Sequence, residues 1–578
     1  MKKIPYGTVG TIADLVNQNY YYIDRTNYLE KLEELSDKHL FFLRPRRFGK
    51  SLFLSVLHHY YGLEHQDKFE HIFGNYYVGK NPTALRNSYF VLNLDFSGIN
   101  TKTNKETQKD FLESVRFGVE DFLRTYNDFF NPKNLDTLSK ISTPENIMKQ
   151  LWNWVKHEGQ GHKVYVLIDE YDQFTNEMVA YHFEEFKEVV GRNGWVRKFY
   201  ETLKIGAGRG IIDRTFITGV TPITFDSLTS GFSNATDIST ELEFCEMMGF
   251  TDEEVRQFLE DVGIEGKLLE ETRKDLKDWY DGYLFNKDAK KPIYNSEMVL
   301  FFIKNYLTQN KYPEQLLATS VASDYHKVRS LFRIGHKEKE NLETLELILK
   351  KGEITASLTI KFNFEVSWRQ HNFVSLLYYL GFLTIKGSIA TRLIFAIPNF
   401  VIRQLYYQYF SQVVLNRAKI DTYSVDIQEQ VTELALHNNI KPLIELTEST
   451  LTQLSIYNDR AAFNETHIKS IFVSWFYATG VYHIYSELEV SKKNKNKDKG
   501  RIDLLLTSRP PFEEEIPYQF IFELKYLKKK DAGQLETTKK TAIAQLKEYL
   551  KDDKIKHLKD LKAYVIVFVA NKAEVILL

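Results

Sequence analysis

The chain has 578 residues, with 76 Lys and Arg balanced against 77 Asp and Glu for a formal net charge of −1. That length implies about three or four domains, and a hydrophobic share of 43% supports large cores and excludes wholesale disorder. The near-zero balance excludes a uniformly basic nucleic-acid binder, so any such contact must come from local patches.

Residues 1–240 alternate between strand and helix patterns. Strands are expected near 39–44, 89–95, 164–169 and 214–219, and helices near 50–62, 106–127, 144–157 and 181–203. Alternation of this kind implies a parallel sheet covered by helices. The first strand, Phe41-Phe42-Leu43, runs into Arg44-Pro45-Arg46-Arg47-Phe48-Gly49-Lys50-Ser51 and then into the helical run Leu52–Leu57. A loop ending Gly-Lys-Ser at a helix start suits phosphate: backbone N–H groups attract its oxygens, Lys50 reaches the terminal phosphates and Ser51 ligates Mg²⁺. Arg44 stands where the full P-loop pattern has its first Gly, so a basic surface turn before an amphipathic helix is the competing reading.

Val164–Ile168 is a continuous apolar run that ends in Asp169 and Glu170. It fits a buried central strand, whose C-terminal end is where ligands bind in open α/β sheets. Asp169 then holds Mg²⁺ and Glu170 polarises water as a general base. On the following strand, Arg214–Val220, Thr218 either senses the γ-phosphate or caps the strand end. Asp95 ends the second strand, where an ordinary strand-end acid is the simpler reading.

Tyr22–Thr26, RPRRFGKS, VLIDEYD and FITGVTPI together resemble the bacterial AAA-ATPase-like domain family. The resemblance continues through Asp226–Asn234 and Trp279–Tyr283 and covers most of residues 1–300. It implies an ATP- and Mg²⁺-binding P-loop NTPase whose nucleotide ligands are Arg47, Gly49, Lys50, Ser51, Asp169 and Thr218, with Ser51 and Asp169 on the metal. The Arg-Pro-Arg-Arg-Phe loop is usual in that family. Related ATPases often complete their site with a neighbour's arginine, so a homo-oligomer is compatible with it.

Residues 241–460 are mostly helical in pattern. Thr251 and Glu254 form a capping-box signature at a helix start. Around 372–399 a helix leads into two short strands, a winged-helix-like arrangement that resembles the matching stretch of the family. Inside ATPases such a module is more often a lid or packing module than a DNA reader.

Residues 461–578 read as α-β-β-β-α-β, the order of a restriction-endonuclease-like domain. Asp503 lies on one strand, and Glu523 and Lys525 lie on its hairpin partner. Residues two apart on a strand share a face, so Glu523 and Lys525 both turn toward Asp503. Two carboxylates make a hard-oxygen site for Mg²⁺ or Mn²⁺, and Lys525 orients water or stabilises the reacting phosphate. The competing reading is a structural ion pair. Gly-Arg-Ile-Asp, Phe-Glu-Leu-Lys and Ala544–Tyr549 resemble the PD-(D/E)XK nuclease superfamily, which implies metal-dependent cleavage of nucleic acid, DNA in preference to RNA. Glu465 and Glu487 are further acids near this site. Lysines at 491–501 and 528–530 either track a backbone or form solvated turns.

The expected protein is therefore a cytoplasmic bacterial ATPase coupled to a nuclease. The alternative is a nucleotide-dependent switch or scaffold whose C-terminal domain binds nucleic acid or protein without cutting. The single cysteine, Cys245, excludes a disulfide framework and fits a reducing compartment. Residues 1–7 lack an apolar signal core, and no long apolar run suggests a membrane span.

Overall fold

The computed structural model describes residues 2–7, 10–191, 194–224, 232, 235–317, 337–362, 368–417, 427–457, 465–491 and 499–578. The stretch 226–234 that carried part of the family resemblance lies almost wholly outside these residues, as do the lysines at 492–498. The chain forms two compact units. One comprises Met1–Lys304 with Ala318–Asn399, the other Asn305–Leu317 with Phe400–Leu578.

The first unit is built on five parallel strands: β1 (His39–Leu43), β2 (Tyr89–Asp95), β3 (Lys163–Asp169), β4 (Ile212–Gly219) and β5 (Thr236–Asp237). Their spatial order is β2-β3-β4-β1-β5. Leu40, Phe41, Phe42 and Leu43 are all buried, as are Val164 to Ile168. These runs are apolar on both faces because helices cover both sides of a parallel sheet. The helices include Lys50–Tyr61, Asn104–Thr125, Pro144–Glu158 and Trp195–Gly208. The single helix expected over 181–203 is instead two, Phe183–Val190 and Trp195–Gly208. Gly191 and Gly194 lie in the break, where glycine's low helix propensity ends the first segment. The register aligns Asp95 with Asp169, so two strands end in acids on the same edge.

Farther along, Thr251 and Glu254 form the capping box of Asp252–Asp261. The wing has three strands rather than two. Strands β7 (Thr384–Ile389) and β8 (Arg392–Ala396) follow the helix Gln370–Tyr379, and β6 (Glu353–Ala356) pairs with β8 on its other side. Strand β6 is only four residues long, too short for an alternating pattern to stand out.

The second unit carries a mixed sheet ordered β13-β12-β11-β10-β9. Its strands are β9 (Tyr482–Ser491), β10 (Lys499–Ser508), β11 (Gln519–Leu527), β12 (Leu561–Val569) and β13 (Lys572–Leu577). Strands β9, β10 and β11 are antiparallel neighbours. The helix Leu535–Tyr549 then carries the chain to β12, which lies parallel to β11. The expected α-β-β-β-α-β order holds, with β13 added as an antiparallel edge strand. The helix Glu465–Thr479 opens the domain and buries Phe472, Trp475 and Phe476. No helix among the described residues is long and apolar enough to cross a membrane.

Candidate functional sites

At the end of β1 the chain turns sharply into the helix Lys50–Tyr61. Gly49 takes a left-handed conformation, with φ 98°, which glycine adopts without steric cost. Arg47 is also left-handed, with φ 68°, and its carbonyl accepts a hydrogen bond from Ser296 Oγ at 3.0 Å. The Arg47 guanidinium lies 4.0 Å from Glu297.

Arg44 explains how the loop forms without the usual first Gly. Its side chain is buried and donates to the carbonyls of Leu43 at 2.8 Å, Ser239 at 2.7 Å and Phe244 at 3.0 Å. The guanidinium is sandwiched between Phe42 and Phe285, about 4 Å from each ring centre. Desolvation pulls its pKa down to about 10. The residue thus fastens the loop base to the segment after β5 and does not line the cavity.

That cavity, of about 550 Å³, brings together Arg47, Gly49, Lys50, Ser51, Asp95, Asp169 and Glu170. Lys50 is buried, and its Nζ donates to the carbonyls of Arg44 at 3.2 Å and Pro45 at 3.3 Å. The same Nζ lies 3.5 Å from Glu170 Oε1. Ser51 is exposed at the rim. Asp169 accepts from Thr218 Oγ1 at 2.6 Å and from the Glu170 amide at 3.0 Å. Thr218 is fully buried behind Asp169 and is not among the cavity-lining residues. Its hydroxyl therefore orients the acid.

Glu170 has φ 48°, a left-handed conformation costly for a side-chain-bearing residue and frequent at functional sites. Burial raises its pKa, partly offset by Lys50. Its Oε2 is buried with no hydrogen-bond partner among the described residues. An unsatisfied buried oxygen beside a lysine suits a site for a polar ligand. Apolar and aromatic side chains also line the cavity as a wall: Tyr22, Ile23, Met247, Met248, Phe250 and Leu300. The sequence motifs did not reveal this wall, because its residues come from three separate segments.

The second constellation lies on β10 and β11. The pairs Leu504↔Phe522 and Leu505↔Ile521 set the register, which brings Asp503 beside Glu523. Asp503 Oδ2 accepts from the Leu524 amide at 2.9 Å, in place of a ladder bond. Lys525 Nζ lies 2.9 Å from Glu523 Oε1 and 3.6 Å from Asp503 Oδ2. Both acids are buried. All three proposed groups therefore converge, and their oxygen donors have the chemistry of a hard-cation site.

Two further residues join them. Lys469 Nζ, on the helix Glu465–Thr479, lies 3.4 Å from Asp503 Oδ1. It is the one charged residue in the run Ile468–Thr479, a signal that was available in the sequence. Tyr549 packs its ring against Gly500, where an added Cβ would sit 2.4 Å from the ring. The Arg501 backbone hydrogen-bonds its hydroxyl; burial, then Glu523 and Asp503, raise its pKa. The side chains of Glu465 and Glu487 lie outside the described residues.

Residues 5–229 match the family model described as predicted AAA-ATPase, and residues 463–576 match that of the PD-(D/E)XK nuclease superfamily. An uncharacterized protein in the vnfD 5' region of Azotobacter chroococcum mcd 1 is 25% identical over 385 residues, or 61% of this chain. The chain spans 64% of the length of that curated relative. The Walker-type ATPase PABY2304 of Pyrococcus abyssi is similar at 12% identity and a TM-score of 0.36, over 66% of this chain and 94% of that one.

Proposed function

We propose that this chain, an AAA-ATPase-like domain followed by a PD-(D/E)XK nuclease superfamily domain, binds and hydrolyses ATP at its first site and cleaves nucleic acid, DNA in preference to RNA, at its second. The observation that carries the reading is the convergence of Asp503, Glu523 and Lys525 on one face of the β10–β11 hairpin.

In the first domain the phosphates of ATP lie over Gly49 and the start of the helix, where unpaired amides favour anions. Lys50 exchanges the Arg44 and Pro45 carbonyls for phosphate oxygens. Ser51 and Asp169 hold Mg²⁺, and the Thr218 hydroxyl keeps Asp169 in place. Glu170, with its pKa raised by burial, takes the proton from the attacking water. The purine has the apolar wall formed by Tyr22, Met247 and Met248.

In the second domain Asp503 and Glu523 hold Mg²⁺ or Mn²⁺. The bound cation neutralises phosphate charge and acidifies water. Lys525 steers the water and donates to the scissile phosphate. The helical middle, residues 241–460, relays the nucleotide state to cleavage in this reading.

The test is a cleavage assay on single- and double-stranded DNA and RNA, with Mg²⁺ or Mn²⁺, with and without ATP. Asp503→Ala and Glu523→Gln should each abolish cleavage and leave ATP turnover in place. Persistent cleavage in either variant would overturn the assignment.

A second reading, a nucleotide-dependent scaffold that does not cut, is favoured by one observation. Lys469 and Lys525 both lie within 4 Å of Asp503, which balances the two acids without a metal. In that case the chain binds nucleic acid or protein, and Mn²⁺ titrates no site at Asp503.

A further inference from the structure

The helix that starts at the nucleotide loop carries His58 and His59 in its last turn, and the short 3₁₀ turn Leu63–Lys68 presents His65 to them. One nitrogen from each of the three rings can be chosen so that all lie within 4.8 Å of one another. Glu64 sits among them: its Oε1 is 2.6 Å from His58 Nε2 and 3.6 Å from His65 Nε2.

The surroundings orient these groups as partners of a metal site do. His59 Nδ1 donates to the Ser55 carbonyl at 2.8 Å, which leaves the lone pair on Nε2. The Asn93 side-chain amide on β2 lies 3.1 Å from His58 Nδ1; turned with its oxygen toward that nitrogen, it accepts the ring N–H and frees Nε2 for a metal. The Tyr126 hydroxyl donates to Glu64 Oε2 at 2.6 Å. Gly62 leaves room for the carboxylate, since a Cβ there would lie 2.7 Å from both of its oxygens.

His65 stands apart. Both of its ring nitrogens are buried with no hydrogen-bond partner among the described residues. Its ring stacks on His59 with 4.2 Å between centres and an interplanar angle of 11°.

We infer that His58, His59 and His65, with Glu64 as a fourth donor, form a binding site for a late first-row divalent cation of the zinc class. Three imidazoles and one carboxylate suit that class, whereas Mg²⁺ and Ca²⁺ prefer all-oxygen sites. Closure draws the donors in to about 2.0–2.1 Å from the ion. It requires His65 to turn out of its stack, and no hydrogen bond holds that ring back. The filled site ties the far end of the nucleotide-loop helix to the 3₁₀ turn and, through Asn93, to β2. None of its residues belongs to the nucleotide or nuclease constellations.

The probe is Co²⁺, titrated into the full chain after chelator treatment, with Mg²⁺ in excess to fill the hard-oxygen sites. The expected result is a single equivalent bound, with the visible absorption of four-coordinate Co²⁺, displaced by Zn²⁺. His65→Phe keeps a stacked ring and removes both nitrogens, and should lose the band. Asn93→Ala should weaken binding about 10- to 100-fold. Circular dichroism melts establish that each variant folds; should His65→Phe not fold, Asn93→Ala decides. Absence of the band in the parent, its survival in a folded His65→Phe, or unchanged affinity in Asn93→Ala would overturn the inference and leave a buried aromatic stack.

Discussion

Lys50 Nζ and Glu170 Oε1 lie 3.5 Å apart, so the loop lysine and the strand-end acid offset each other's charge at the cavity floor. Burial still raises the Glu170 pKa, so desolvation outweighs the lysine. Glu170→Gln should therefore retain ATP binding and lower turnover by about 10²–10⁴-fold. A folded-state pKa above the unfolded value means that ionisation costs stability as pH rises past the ordinary carboxylate range. The variant should melt higher than the parent at pH 8 and not at pH 3.5, as read by calorimetry without nucleotide.

Arg44→Gly restores the standard glycine of a P-loop and should nonetheless destabilise the protein. It removes three hydrogen bonds to main-chain carbonyls and two ring contacts. A loss of at least about 3 kcal/mol is expected, measured as a lower urea midpoint with an unchanged slope. An unchanged midpoint would show that the sandwich contributes nothing.

Asp281 is buried, and desolvation lifts its pKa to about 6. Its Oδ1 has no hydrogen-bond partner among the described residues. The unfolded chain releases this proton near pH 4 and the folded chain near pH 6, so stability falls across that window as pH rises. Asp281→Asn should gain up to roughly 3 kcal/mol at pH 7.5 and nothing at pH 3.5. Equal stability of parent and variant at both pH values would refute the assignment.

Gly500→Ala places a methyl group 2.4 Å from the Tyr549 ring. Overpacking of this kind costs about 1–3 kcal/mol. In combination with Tyr549→Leu the loss should be smaller than the two single losses added together. Additive losses would mean that the clash is relieved elsewhere.

Lys469 contacts the same carboxylate that is proposed to hold a cation. Lys469→Met should tighten Mn²⁺ binding at Asp503 about fivefold, equivalent to ~1 kcal/mol of removed competition. Electron paramagnetic resonance of free Mn²⁺ reads this directly, and weaker binding would instead make the lysine a support of the site.

Much of both constellations was legible because their residues sit close together in sequence, at element ends. Gly49-Lys50-Ser51, Asp169-Glu170 and Glu523-x-Lys525 each follow an apolar strand or lie on one, so local pattern and chemistry coincide. What escaped came from distant segments. The apolar wall of the first cavity draws on residues near 22, 247 and 300, and no local period joins them. Arg44 looked like a defect in a motif because its partners, Ser239 and Phe244, lie far along the chain. Strands β5, β6 and β13 were missed because short or half-exposed edges carry weak alternation. Thr218 had two open readings, and its hydrogen bond to Asp169 makes it a support for that acid.

The strand order has one further consequence, for the sequence of events during folding. Strand β1, which carries the nucleotide loop, has no strand partner nearby in the chain. His39 meets Thr215 across 176 residues, and the Leu43 amide meets Ser239 across 196. Loop closure over such spans is slow, and local helices form first. The Gly49–Ser51 turn is thus among the last features to be secured, and a nascent chain acquires it only after β4 and β5 have left the ribosome.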